Sequence, residues 1–151
     1  MTKTIEETLN CTFKSEHQKA IINLRYTTNW LANLQHNYMS KFDLSVAQFN
    51  ILRILRGAKG FISVNTVKER MIEKSPNTTR LMDKLFDKKL IERVRCESDR
   101  RIVYVKISEG GLNLLATIDS TFEDSFLVAH NLTEEDAATL NTILDKLRNS
   151  Q

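Results

Sequence analysis

The sequence predicts a mainly α-helical fold with one small β-hairpin. Three observations lead there. Four glycines and one proline in 151 residues are too few for a turn-rich all-β chain. Apolar residues recur at spacings of three and four over most of the length, the period of an amphipathic helix. Only the stretch after Lys89 changes to a period of two. With 41% hydrophobic and 27% charged residues, the chain reads as a single domain, 1–151, large enough to bury a core.

Residues 1–14 show no period and are expected to fray or pack loosely. Residues 15–41 read as one long helix. Ala20, Leu24, Thr27, Leu31, Leu34 and Tyr38 alternate at four and three, and Ile21, Trp30 and Phe42 broaden the stripe. A helix of that length in a small domain commonly finds a second subunit. Ser45 with Gln48 three residues on is a capping box for a second helix through Phe49, Ile51, Leu52, Ile54 and Leu55, with Gly57 placed to end it. Phe61-Ile62-Ser63-Val64 is too short for a helix and suits a small strand. A third helix, capped from Ser63 or Asn65, is expected over 64–73, with Val67 and Met71 one turn apart.

The fourth helix carries the argument. Ser75 reads as its N-cap, and Pro76, the only proline, sits in its first turn. With Asn77 at 0° and about 100° per residue, Leu81, Leu85, Met82 and Phe86 fall at about 40°, 80°, 140° and 180°. Asn77, Lys84, Arg80 and Thr79 fall at about 0°, 340°, 300° and 200°, on or beside the opposite face, and Thr78 at about 100°, within the apolar one. One side is built for burial. The other offers amide, hydroxyl and cationic groups, which reach base edges and phosphates in a DNA groove. Only Lys74-Ser75 separates this helix from the third, which makes a helix-turn-helix pattern.

Leu90, Glu92, Val94 and Cys96 then alternate with Ile91, Arg93 and Arg95. After the turn Glu97-Ser98-Asp99-Arg100, the β-branched run 102–107 returns. The hairpin tip carries Arg95, Arg100 and Arg101, and a hairpin directly after a helix-turn-helix is a wing. Gly110 and Gly111 open another long helix, with Leu112, Leu115, Ile118, Phe122 and Phe126 on its buried face. Thr133 and Asp136 box the last one, Leu132 is placed to staple onto Ala137, and Leu140, Ile143, Leu144 and Leu147 form its stripe. The expected organisation is a winged helix-turn-helix lobe, 45–107, flanked by dimerisation helices over 15–41 and 109–149.

Charge supports a nucleic-acid surface. Residues 53–106 hold 15 Lys+Arg against 7 Asp+Glu, while the rest holds 7 against 12. No apolar leader or membrane-length run appears, so a cytoplasmic protein is expected. Cys11 and Cys96 make neither a disulfide framework nor a zinc spacing, and His17, His36 and His130 show no ligand spacing. No nucleophile–base pair and no phosphate-cradling glycine loop appears, so neither an enzyme nor a cofactor is expected.

The chain resembles the multiple-antibiotic-resistance regulator (MarR) family of bacterial winged-helix repressors. The resemblance rests on residues 45–52, on Thr79-Arg80-Leu81-Met82-Asp83-Lys84-Leu85 running into Lys89-Leu90-Ile91-Glu92-Arg93, and on Asp99-Arg100-Arg101-Ile102-Val103-Tyr104-Val105 with 107–111 after it. It spans about Lys41 to Ile118. It implies a homodimer on a pseudo-palindromic DNA site, with Arg101 as the wing arginine of the minor groove and Asp99 holding the wing in place. The candidate DNA-binding set is Ser75, Asn77, Thr78, Thr79, Arg80, Lys84, Arg95, Arg100 and Arg101; Ser75 and Thr78 enter it by the resemblance. Many members hold a small aromatic ligand between lobes, and Trp30, Tyr38, Phe42, Phe49 and Tyr104 are the candidates for such a cleft. The peroxide-sensing branch keeps its cysteine at a position that falls near Leu24 here, not at Cys11. A redox-sensing regulator and a winged-helix protein-interaction module are the alternatives.

Overall fold

A computed structural model describes residues 2–125 and 131–149, with side chains for all of these but 122–125. Seven α-helices and three strands are described. They are α1 (Ile5–Leu9), α2 (Glu16–Met39), α3 (Val46–Ala58), β1 (Ile62–Ser63), α4 (Val64–Arg70), α5 (Thr78–Asp87), β2 (Ile91–Arg95), β3 (Val103–Ile107), α6 (Glu109–Ser125) and α7 (Glu134–Arg148). A short 3-10 turn, Ser40–Phe42, follows α2. The mainly helical class with a small antiparallel sheet is as expected. The short stretch at Ile62 is indeed a strand, and it pairs with β3, so the sheet order is β1-β3-β2 and the hairpin gains a third member.

Several boundaries differ from the sequence reading, each for a local reason. The segment over 2–14 holds a short helix rather than fraying throughout. Thr4 and Glu7 form a capping box that starts α1, Ile5 is buried, and Lys19 reaches Glu6 at 2.5 Å. Gly57 does not end α3; the helix runs one residue on, and Lys59 stops it with φ 56°. The third helix ends at Arg70 rather than 73, where Met71 turns extended and its side chain is buried. The connection to α5 is therefore residues 71–77, not two residues. The fourth helix starts at Thr78, three residues past Ser75. Ser75 Oγ accepts the Asn77 N–H at 3.2 Å and Ser75 O accepts the Thr78 hydroxyl at 2.9 Å, so Pro76 sits in a turn ahead of the helix.

The core gathers α3, α4, α5, the sheet and α6 around Leu52, Leu55, Val67, Met82, Leu85, Val105, Leu115 and Ile118, all almost fully buried. Of the predicted apolar faces, Phe86 and Leu112 are exposed instead. The Phe122 side chain and Phe126 lie outside the described residues. The long helix α2 buries only Met39, and α7 buries nothing within this chain. Two cross-braces meet on α6: Arg56 of α3 pairs with Asp119 at 2.6 Å, and the Tyr38 hydroxyl of α2 meets that of Thr121.

The wing joins the core through a close approach at Gly111. A Cβ there would run into the Leu90 carbonyl and the Ile107 side chain. The same corner is fixed by Ser108, whose N–H donates to Leu90 O at 3.0 Å and whose hydroxyl donates to Lys89 O at 2.7 Å. Gly111→Ala adds helix propensity worth about 1 kcal/mol, but the overlap is with backbone and should win, costing about 1–3 kcal/mol. A lower melting temperature than the parent is the expected readout; an unchanged or raised one would remove this account of the glycine.

Candidate nucleic-acid interface

The outer face of α5 is polar because its inner face is spent on the core. Thr78, Met82 and Leu85 are buried one turn apart, which leaves Asn77, Thr79, Arg80 and Lys84 exposed. Its C-terminal end closes with a Schellman turn. Lys89 N–H donates to Phe86 O, Leu90 N–H donates to Leu85 O, and Lys89 adopts φ 60°, a conformation more often left to glycine. That turn swings the chain straight into β2, so the wing starts beside the helix.

Thr78 is the correction within the candidate set. It is 1% exposed, and its hydroxyl donates to Ser75 O, with Met71 Sδ 3.6 Å away. Its place is under the helix, as its wheel position implied. Ser75 is half-buried with its hydroxyl engaged by the Asn77 N–H.

The wing turn is organised by Asp99. Its Oδ1 accepts the Arg101 N–H at 3.0 Å and lies 3.4 Å from Arg101 Nε, while its carbonyl accepts the Ile102 N–H at 3.0 Å. The Arg101 side chain stays 94% exposed. The carboxylate thus braces the backbone of the turn and leaves the guanidinium projecting.

Clefts flank α5. One, of about 480 Å³, runs between α4, α5 and the wing and brings together Thr79, Arg93, Arg95 and Arg101 with Asn65 and Lys68 of α4. The other, of about 340 Å³, holds Lys84 with His36, Asp43 and Lys88. Ser75 borders a third, shallow hollow with Lys68 and Lys74. Arg80, Arg100 and Asn77 line none of these three and stand on the open surface. Asn65, read from the sequence only as a possible helix cap, and Lys68 were not among the DNA-binding candidates, although their spacing of three places them on one helix face.

Pairing sorts the cations. Arg56, Lys88, Arg93 and Lys106 each have a carboxylate partner. Among the described residues, Arg80, Lys84, Arg95 and Arg100 have none. Unpaired cations cost little to bring against phosphate, because no existing bond is lost.

The five aromatics do not make one cleft. Tyr38 and Phe42 lie together, ring centres 5.6 Å apart, and Phe49 goes into the core beneath Arg53. Tyr104 stands on β3 opposite Val94 and Ser63. Trp30 is 41% exposed and sits eight residues before Tyr38, about 12 Å up α2. Cys11 is exposed and Cys96 half-buried. The Cys96 thiol lies 3.1 Å from the Ser98 hydroxyl, which, with the N–H groups of Asp99 and Ser98, holds it below the usual thiol range. Among the described residues no group of three or more His, Cys, Asp or Glu is placed to hold a metal ion, and no helix is long and apolar enough to cross a membrane.

Comparison with known proteins adds to this geometry. The family model of the transcriptional regulators SarA/Rot matches residues 33–118. The multiple antibiotic resistance protein MarR of Salmonella typhimurium is 30% identical over 116 residues, 76% of this chain and 80% of that protein. A mutant MarR from Escherichia coli, solved in complex with operator DNA, is 28% identical, with a TM-score of 0.72 over 85% of this chain and 93% of that one. The MarR transcription factor from Planctomyces limnophilus, also 28% identical, superposes with a TM-score of 0.69 over 93% of this chain and all of that one.

Proposed function

Because the chain belongs to the MarR family of winged-helix transcriptional regulators, DNA-binding proteins rather than enzymes, we propose that it acts as a homodimeric repressor on a pseudo-palindromic operator. The lobe over 45–107 engages DNA, and the helices over 15–41 and 109–149 pair the subunits. Asn77, Arg80 and Lys84 enter the major groove, Thr79 and Arg95 approach the backbone, and Arg100 and Arg101 work from the wing tip. Thr78 and Ser75 hold the start of the helix instead. One observation carries the reading: Arg80 and Lys84 on the outer face of α5 and Arg95 and Arg100 on the wing beside it are exposed and, among the described residues, hold no carboxylate partner.

Exposed apolar surface supports the second subunit. Ile21, Trp30 and Leu34 on α2 and Leu140 and Ile143 on α7 are 37–56% exposed in the single chain. A two-fold dimer would set two α5 helices on successive major grooves about 34–36 Å apart. A small aromatic effector near Tyr38 and Phe42, where the lobes join, would release DNA only by binding one spacing of the recognition helices better than the other.

The test is binding across a salt series, on a duplex that the protein selects from a random pool. A dimer that neutralises six to ten phosphates should lose about 10³–10⁵-fold in affinity between about 50 and 200 mM salt. Affinity that ignored salt would end the DNA reading and favour a protein-interaction module.

Redox control is a second reading, favoured by the Ser98 contact to Cys96. The hydroxyl donates to the thiolate, so Ser98→Ala should raise the thiol's pKa and slow alkylation of Cys96 at pH 7. Alkylated protein should bind DNA more weakly, and Cys96→Ser protein should be indifferent to the reagent. Unchanged DNA binding after complete alkylation would remove this reading.

A further inference from the structure

One charged tie joins the recognition helix to the wing. Asp83 and Phe86 stand one turn apart on α5 and share a face. Arg93, in the middle of β2, reaches back to both. Its Nη1 lies 2.6 Å from Asp83 Oδ1, and its Cζ lies 4.4 Å from the centre of the Phe86 ring. A planar guanidinium can donate from its edge while laying its face on a ring; an ammonium cannot match that geometry. This contact also explains why Phe86 is exposed rather than in the core: the ring is a seat for Arg93.

The pair is poorly placed to stabilise the fold. The Arg93 and Asp83 side chains are 34% and 52% exposed, and ion pairs that open to water contribute little. Asp83 is also electrostatically wrong for its place. It lines the same cleft as Thr79, Arg95 and Arg101, where a carboxylate opposes the approach of phosphate. β2 is an edge strand, paired with β3 on one side only. On its other side, among the described residues, no strand sets its tilt, and the wing tip with Arg101 lies at its far end.

We propose that Arg93 is a positioning residue, a strap anchored on Asp83 and Phe86 that sets the distance between the base-reading face of α5 and Arg101 on the wing. The inference rests on the DNA-binding reading above. A duplex presents its major groove and the neighbouring minor groove at a set separation. A wing held at that separation before binding has less freedom to lose on binding, and the saving applies only to a site that both elements fit. The strap therefore acts on specificity more than on overall attraction.

The sign of one substitution decides. If Asp83 is merely a charge near DNA, Asp83→Asn should tighten binding to every duplex. If it anchors the strap, Asp83→Asn should weaken binding to the selected duplex by about tenfold while binding to a shuffled duplex of the same composition holds or tightens. The probes are the duplex that the wild-type protein selects from a random pool and its shuffled version, compared at one salt concentration. Arg93→Lys should lose the same preference while keeping the salt slope, because the cation remains. Phe86→Leu should lose part of it. Thermal melts and gel filtration establish that each variant is folded and assembled as the parent; should Asp83→Asn not fold, Arg93→Lys and Phe86→Leu carry the test. An undiminished ratio of selected to shuffled affinity in the folded variants overturns the strap while leaving DNA binding intact. A wild-type protein that selects no duplex overturns the DNA reading and the strap with it.

Discussion

Arg101→Ala should weaken binding to the selected duplex by about 10²-fold and leave the dimer unchanged. An arginine reading a groove contributes about 1–3 kcal/mol, and a two-fold dimer loses two of them. The narrow minor groove, with its enhanced negative potential, is where such a contact is strongest. The fold gains little from this guanidinium, since its 3.4 Å approach to Asp99 is open to water and the side chain is 94% exposed. The turn keeps its brace, because Asp99 accepts the backbone N–H of residue 101, which alanine retains. Mobility-shift titration and gel filtration on the same preparation separate the two effects. Wild-type affinity in the variant would remove Arg101 from the interface. A lowered melting temperature would instead point to a structural role.

The larger effect is expected from the apolar stripe of the last helix. In the single chain α7 has no buried residue, and Leu140 and Ile143 are 44% and 56% exposed. Leu140→Glu with Ile143→Glu should leave the subunit folded, because neither side chain supports its core, yet prevent association by burying two carboxylates in an apolar interface. The monomer then binds half a site. Losing the second, linked contact should lower DNA affinity by about 10²–10⁴-fold. Sedimentation velocity gives the assembly, and titration of the selected duplex gives the affinity. A double variant that stayed dimeric would place the subunit interface elsewhere.

Much of this molecule was legible from its residues. The periods of 3.6 and 2 separated helices from hairpin, and the capping boxes at Ser45 and Thr133 marked helix starts that the structure places at Val46 and Glu134. Those signals are local, so they survive without knowledge of the fold. Errors clustered where a tertiary contact overrode a local preference. Met71 leaves the helical track as its side chain enters the core, which shortened α4 and lengthened the turn. Ser75 caps a turn rather than the helix because Thr78 is drawn inward and spends its hydroxyl on the Ser75 carbonyl. Phe86 looked apolar and therefore buried, but Arg93 arrives from another element to lie on it.

Residue order alone was enough for the mainly helical class, the basic centre and the polar face of the helix beginning near Pro76, because periodicity, caps and charge are properties of short stretches. Which members of that stretch face outward with free cations, and which are spent internally, depended on packing against other elements. It took Thr78 out of the candidate surface and left Asn77, Arg80 and Lys84 on it. It separated the cations that already hold a carboxylate, such as Arg93, from those that hold none, such as Arg80. It also joined Asp83 and Phe86 to Arg93 on a neighbouring strand. Such partners come from other elements, and no spacing along the chain encodes the distance at which a folded helix and a folded wing will meet.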